Sequence, residues 1–296
     1  MGIPIIRTVA ELRSIVAVWR RDSLKVAVVP TMGALHEGHL SLVRAALAKA
    51  DRVIVTLFVN PKQFNSPADL IAYPRTEYDD AAKLAPLRAH ILYAPDAADV
   101  YPQGFATTVS VSAVSEGLCG AFRPGHFDGV ATVVTKLCLQ TGADMAFFGE
   151  KDFQQLHVVR RLVRDLDIPI KIVACPTVRE GDGLAMSSRN ARLSAAERRA
   201  APRLAEILFE TARRLNCEDC IDRVLDEARQ AILAAGFSQV EYLELRSGED
   251  LAVIAIPNRP ARLLVAASLG QTRLIDNVEV WSPGSVQGFV QAAAAA

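Results

Sequence analysis

No stretch of this sequence is apolar for long enough to cross a bilayer, and the N-terminus lacks a basic segment followed by an apolar one, so neither a membrane span nor a secretory signal is expected. Met1-Gly2 opens like an acylation site, but Ile6 stands where that motif requires Ser or Thr. The expected location is cytoplasmic. An excess of charge is missing too: 33 Lys and Arg balance 33 Asp and Glu, so no global basic field draws nucleic acid, and small anions are the better partners. Cysteines number only five, odd and without framework spacing, which excludes a disulfide-stapled domain and points to a reducing compartment. Cys217 and Cys220 form a lone Cys-x-x-Cys, with no second pair or nearby histidine to complete a zinc site and with Glu218 and Asp219 between them to disfavour a thiolate, so their role is structural or incidental. Internal repeats and low-complexity tracts are absent, apart from an Ala292–Ala296 tail that reads as a frayed end.

What is present is ample core, 51% hydrophobic over 296 residues, enough for one large domain or two moderate ones. Lys25–Val29 is a short apolar, β-branched run suited to a buried parallel strand, and Pro30 is expected to stop it by removing a backbone donor. Gly33 and Gly38 then permit close backbone approach, and His39–Ala50 carries Leu40, Val43 and Leu47 at helical spacing. The loop between is a natural anion site, because a helix N-terminus offers unpaired N–H groups and a partial positive charge, and His36 and His39 add neutral donors or cations. A zinc-protease reading fails, since it needs the second histidine at i+4 and here it is at i+3. The His-x-Gly-His string alone fits satisfied loop histidines equally well; the flanking strand and helix favour a ligand.

Along the rest of the chain, Ile5–Trp19 reads as a surface helix with Thr8 as N-cap, and Arg52–Val59 as a strand buried on both faces and ended by Asn60-Pro61. Lys62-Gln63-Phe64-Asn65 then lies where strand ends carry ligands in open α/β sheets, making Gln63 a candidate contact. Asp79 and Asp80 fall in the first turn of a helix after Tyr73-Pro74-Arg75-Thr76, where they either favour the dipole or bind metal. His90–Ala94 is a further strand, Thr107–Val114 alternates like an edge strand, and the polar loop Arg123–Gly129, whose arginine suits an anion, precedes a helix to Gln140. Asp144–Phe148 is a strand that delivers Gly149-Glu150-Lys151-Asp152 to a helix start, with Gln155 one turn on from Lys151; a capping Asp152 and a solvated Lys151 are the plain alternative. After the strand Ile170–Ala174 come a flexible loop, Pro176–Gly183, and Leu184–Asn190, whose hydroxyls and guanidinium suit a polyphosphate. Ser194 and Glu197 form a capping box for a helix to Leu215, Ile221–Ala235 forms another, and Gln239–Leu245, Arg262–Ser268 and Arg273–Val280 read as strands. The expected fold is α/β, a Rossmann-like parallel sheet over residues 1–183 and a smaller α+β domain over 184–296.

Six ordered segments carry a resemblance: Pro-Thr-Met-Gly-Ala-Leu-His-Glu-Gly-His at 30–39, Phe-Val-Asn-Pro-Lys-Gln-Phe at 58–64, Tyr-Pro-Arg-Thr at 73–76, Phe-Arg-Pro-Gly-His-Phe-Asp-Gly-Val-Ala-Thr-Val-Val at 122–134, Phe-Gly-Glu-Lys-Asp at 148–152 and Met-Ser-Ser-Arg-Asn at 186–190. The chain resembles the pantothenate synthetase, or pantoate–beta-alanine ligase, family of nucleotidyltransferases with HIGH-type signatures, and the last segment resembles the KMSKS loop of related synthetases. The resemblance implies condensation of pantoate with beta-alanine, using ATP and Mg2+, through a pantoyl-adenylate with release of pyrophosphate and AMP. It implies an ATP site of Met32, Gly33, Ala34, Leu35, His36, Glu37, Gly38 and His39, completed by Gly149, Glu150, Lys151, Asp152, Val178, Met186, Ser187, Ser188 and Arg189. Within that set His39 would be the catalytic proton donor. Gln63 and Gln155 would hydrogen-bond pantoate, Gln63 also lying near beta-alanine, and Arg123 would assist. Metal ligands stay unassigned, and a homodimer and a C-terminal lid rest on analogy.

The chemistry suits these residues. A carboxylate attacking the α-phosphorus of ATP builds negative charge on the departing pyrophosphate, so positioning and charge stabilisation dominate, and Lys151, His36, His39 and Arg189 supply cations and donors. An acyl-adenylate hydrolyses easily, so a closing lid with Gly181 and Gly183 as hinges is expected. Two other classes stay open: a nucleotidyltransferase making a dinucleotide-like product, which would want more basic residues, and a nucleotide sensor, which would not need His39.

Overall fold

The computed structural model describes residues 2–215, 220–254 and 259–280. The chain divides into two compact units, Met1–Val178 and Arg179–Ala296.

The first unit is a six-stranded, wholly parallel sheet: β1 (Ile5–Ile6), β2 (Val26–Thr31), β3 (Arg52–Leu57), β4 (Ile91–Tyr93), β5 (Met145–Gly149) and β6 (Lys171–Cys175), in the spatial order β1-β4-β3-β2-β5-β6. Around it run α1 (Val9–Arg21), α2 (Glu37–Leu47), α3 (Pro67–Ile71), α4 (Glu77–Leu84), α5 (Ala97–Val100), α6 (Leu118–Phe122), α7 (His126–Thr141) and α8 (Phe153–Asp165). Val26–Val29 and Val53–Val55 are fully buried, as continuous β-branched runs in a parallel sheet must be, and Ala27, Val29, Val53 and Val55 pack against Leu42, Val43 and Ala46 of α2. The chain winds outward from β2 through β3 and β4, then returns to place β5 on the other side of β2. The reversal lies between β2 and β5, and open α/β sheets bind ligands outside the strand ends at that point.

Four local expectations are corrected. Ile5–Ile6 is not helical: it pairs with Leu92–Tyr93, and α1 starts after Thr8, whose hydroxyl accepts from Glu11 N at 3.2 Å. Pro30 does not end β2 but stays in register with Thr56. Thr31 O accepts from Phe58 N, so Thr31 and Val29 address β3 and Pro30 faces the other neighbour, beyond the last β2–β5 pair at Val28 and Ala146, where no donor is required. Thr107–Val114 forms no strand; Val109 N donates to Thr132 Oγ1 of α7 at 3.0 Å, and Ser110 Oγ to Asp128 at 2.7 Å, so helix side chains take the place of a ladder. Finally, α2 begins at Glu37, earlier than its apolar spacing indicated, because the histidines themselves cap it.

The second unit contains α9 (Ala195–Ala200), α10 (Arg203–Leu215), α11 (Ile221–Ala234) and the antiparallel sheet β7 (Gln239–Ser247), β8 (Ala261–Leu269), β9 (Thr272–Val280), in that order. Leu204 and Leu208 of α10 and Val224 and Ile232 of α11 form one core with Leu243, Leu263 and Val265. The single helix expected to Leu215 is two: the Ser194–Glu197 capping box opens α9, and the chain breaks at Pro202, whose ring removes a donor and crowds the carbonyl four residues back. Cys217 and the Ala292–Ala296 tail lie outside the described residues.

Candidate active site at the β2–β5 switch point

The loop leaving β2 is held from below. Thr31 Oγ1 donates to Thr56 O at 2.6 Å and accepts from Gly33 N at 3.2 Å. Gly33 and Ala34 both take left-handed φ, +85° and +51°, and a Cβ on Gly33 would sit 3.1 Å from the Asp80 carboxylate. That carboxylate, fully buried on α4, accepts from Ala34 N at 2.9 Å, Leu35 N at 2.7 Å and the Thr76 hydroxyl at 3.2 Å. Lys83, one turn on, donates to Leu35 O at 2.7 Å. Asp80 therefore anchors the loop with both oxygens bonded to protein donors, and with Asp79 it lies in the first turn of α4 as the dipole reading expected.

At the start of α2 the two histidines cap each other's backbone. His36 Nδ1 accepts from Gly38 N at 3.1 Å, and His39 Nδ1 accepts from His36 N at 3.3 Å, with the ring centroids 4.1 Å apart. An accepting Nδ1 leaves the neutral ring's proton on Nε2. Burial pushes the His39 pKa down to about 3; charge on His36, Lys151 and Lys83 adds to the shift and Asp152 opposes it. His39 is thus a neutral Nε2–H donor at ordinary pH, and of the two roles open from sequence only this one holds. Lys151 and Asp152, in the turn Glu150–Asp152 that links Gly149 to α8, lie within range for their charges to act on His39. The Lys151 side chain is only 18% exposed and lies 3.7 Å from Asp152, and Asp152 makes no capping bond to α8, so the solvated-lysine alternative fails.

Past β3, Asn60 is a hub. Its Oδ1 accepts from Lys62 N at 3.3 Å and the Tyr101 hydroxyl at 2.7 Å, and its Nδ2 donates to Gly129 O at 3.0 Å and Gln63 Oε1 at 2.9 Å. A backbone N–H can only donate and a backbone carbonyl only accept, so the Asn60 amide has one orientation, and with it Gln63, whose Oε1 faces Asn60 and whose Nε2 is the other end of the amide. Arg123 turns Nη2 onto Gln63 O at 3.1 Å and Nη1 towards His126 Nε2 at 3.1 Å, so it braces Gln63. Gln155 is half-buried on α8, whereas its neighbour Gln154 is buried and bound to Cys119 N and three carbonyls.

Val178 closes the first unit, and Met186, Ser187, Ser188 and Arg189 lie in the second, after a tight hairpin. Arg179 bridges Ala185 and forks onto the buried Asp276 at 2.7 and 2.9 Å. Glu180 accepts from Asn190 Nδ2 at 2.7 Å and Arg198 at 2.5 Å, and Ser187 Oγ accepts from Arg189 N at 3.2 Å. The segment read as flexible is therefore held at Arg179 and Glu180 by charge-assisted bonds.

A family model described as pantoate-beta-alanine ligase matches residues 4–279. The chain belongs to the pantoate-beta-alanine ligase family. Among its relatives, the pantothenate synthetase of a Chelativorans species is 74% identical over 96% of this chain and 100% of its own length, and that of Ruegeria pomeroyi is 57% identical over 95% and 98%. The crystal structure of the Thermus thermophilus pantothenate synthetase superposes with a TM-score of 0.87 at 42% identity, covering 94% of this chain and 100% of that one. A crystal structure of the Francisella tularensis pantoate-beta-alanine ligase, complexed with beta-gamma ATP and beta-alanine, matches with a TM-score of 0.79 at 35% identity, over 93% and 97%.

The resemblance drawn from the motifs is thereby borne out, as is the α/β architecture with its small antiparallel sheet. What sequence reasoning missed in this pantoate-beta-alanine ligase are the supports: Asp80 and Lys83 under the His36 loop, and Asn60, His126 and Gly129 under Gln63. Asn60 carried a signal, a polar residue ahead of Pro61 at a strand end. Asp80 stood out only as a first-turn acid; nothing announced its bonds to Ala34 and Leu35, which span more than forty residues.

Proposed function

We propose that this ligase joins pantoate to beta-alanine through a pantoyl-adenylate, consuming ATP and releasing pyrophosphate and AMP, and that it supplies pantothenate for coenzyme A biosynthesis as a cytoplasmic homodimer. The observation that carries the reading is the neutral Nε2–H of His39 beside the covered Lys151 at the β2–β5 switch point. A pantoate carboxylate oxygen attacks the α-phosphorus, the bond to the bridging oxygen breaks, and pyrophosphate leaves with the electron pair. Charge grows on phosphate oxygens, where the His39 Nε2–H and the Lys151 ammonium stabilise it, with backbone N–H groups of Met32–His39 alongside. Gly149, Glu150 and Asp152 with Val178, Met186, Ser187, Ser188 and Arg189 complete the ATP site in this reading, and the amides of Gln63 and Gln155 hold the acid. The beta-alanine amine then attacks the acyl carbon, the acyl–oxygen bond breaks, AMP departs and the amine gives up a proton.

No group of three His, Cys, Asp or Glu side chains converges on a cation-sized site among the described residues, which fits a magnesium ion carried mainly by ATP phosphates. Bound there, magnesium would neutralise phosphate charge. The test is isotope exchange. With enzyme, magnesium and pantoate but no beta-alanine, labelled pyrophosphate is expected to return to ATP, and after full turnover an oxygen of labelled pantoate carboxylate is expected in AMP. A dinucleotide-forming transferase would return label only from its finished product, and a sensor not at all. Exchange that requires beta-alanine, or AMP without the label, sinks the adenylate mechanism even if pantothenate forms.

A further inference from the structure

Gly129 is the fourth residue of α7, a poor place for glycine, which is second only to proline as a helix breaker. Its backbone is helical, so freedom of φ does not explain it. Space does. A Cβ there would lie 2.5 Å from the carbonyl carbon of Lys62 and 2.7 Å from the amide N of Gln63, and closer still to Lys62 O. These are backbone atoms, which cannot swing aside as a flexible side chain would. Two further contacts join the same helical turn to the same loop. Gly129 O accepts from Asn60, the residue that orients the Gln63 amide, and His126 Nδ1 meets Gln63 O at 2.8 Å. Since that carbonyl can only accept, Nδ1 donates, and Nε2 is the atom that faces Arg123.

We propose that Gly129 and His126 are positioning residues for the acid substrate: the glycine sets how deeply the Asn60–Gln63 turn seats on α7, and the histidine pins its carbonyl, so that together they fix the reach of Gln63 Nε2. This rests on the assignment of Gln63 to pantoate. Neither residue touches substrate; both act through Gln63. Displacement of a binding group by the order of 1 Å is enough to cost a large factor in productive binding.

Steady-state kinetics of full-length Gly129→Ala should show KM for pantoate raised at least about tenfold, with KM for ATP within about twofold of wild type. His126→Ala should behave likewise, and His126→Asn, whose Nδ2 occupies nearly the place of Nδ1, should recover most of the loss. If Gly129→Ala does not fold, the histidine pair decides. A merely structural role would move both KM values together or leave both alone, and either result overturns the proposal. A second readout is independent of turnover: the 15N side-chain amide resonance of Gln63, assigned by its loss in Gln63→Ala, should shift in Gly129→Ala and His126→Ala and return in His126→Asn. An unmoved resonance overturns the proposal whatever the enzyme makes. A resonance that shifts in the variants when the unmodified protein itself forms no pantothenate supports the positioning and instead removes the ligase mechanism.

Discussion

Replacing Asp80 by Asn tests whether the loop after β2 is held from α4. The side chains have the same shape, so packing is unchanged, but the carboxylate accepts from two backbone N–H groups, Ala34 at 2.9 Å and Leu35 at 2.7 Å, and an amide offers one oxygen and one NH2. One backbone N–H must then face another donor. The lost charge-assisted bond is worth about 1.5–3 kcal/mol and a stranded buried donor costs about 1–3 kcal/mol; these overlap, so the net is on the order of 3 kcal/mol. A unit of this size falls about 2–4 °C in Tm per kcal/mol, so Asp80→Asn should unfold about 6–12 °C below wild type. Gly33 and Ala34 hold left-handed backbone only while those bonds persist, so the loop should also move, and pyrophosphate exchange at 25 °C should fall at least about tenfold in protein that is still folded. Thermal unfolding followed by circular dichroism and exchange on the same preparation give both numbers. A Tm within about 2 °C of wild type, the range of a neutral surface change, together with unaltered exchange would show that Asp80 does not hold the loop.

His39→Asn keeps an acceptor near Nδ1, and with it the cap on His36 N, but deletes the Nε2–H; exchange should drop about a hundredfold with Tm nearly unchanged. His39→Ala should lose the same rate and in addition about 1 kcal/mol of cap, read as a lower urea midpoint, and equal stability of the two variants would refute the capping role. Asn60→Asp cannot donate to Gln63 Oε1 or Gly129 O, so KM for pantoate should rise while KM for ATP stays put; parallel loss in both would detach Asn60 from Gln63. The folded pKa of His39, about 3 against an ordinary 6.5, means the unfolded chain binds the proton more readily, so this contribution to stability is whole above about pH 6.5 and fades as pH falls towards 3. Urea midpoints of wild type and His39→Asn at pH 7.5 and pH 5 should therefore differ in slope, and identical pH dependence would rule this out.

The sheet was readable because the strands at Val26 and Arg52 are continuous β-branched runs, a pattern that burial on both faces demands and little else produces. The turn from β2 into α2 was readable because glycine and histidine cluster where a strand turns into a helix, so local sequence and local geometry coincide. Thr107–Val114 misled because alternation reports which side chains face inward and says nothing about where the backbone N–H groups go; here Thr132 takes one of them. Pro30 misled because its missing donor matters only on the side where a neighbour waits. The supports under the site were illegible for one shared reason. Asp80, His126 and Gly129 act on partners about forty to seventy residues away, and nothing in the spacing of a sequence says which distant carbonyl or N–H a side chain will find.

The outermost strand, β1, is two residues long, and its length governs how copies of the chain can meet. Pro4 O and Ile6 O already accept from Leu92 N and Ala94 N, so only Ile5 turns an N–H and a carbonyl outward. Before it Pro4 turns its carbonyl inward to Leu92 N, and after it the Arg7 guanidinium folds back onto Glu77 and Ala94 O. A growing cross-β stack or a strand borrowed from a neighbouring molecule needs a run of about six free ladder positions, and within a strand of two residues only Ile5 supplies one. So short a strand gives a second chain little ladder to extend, and a sheet rich in valine and isoleucine is thereby a poor template on that side.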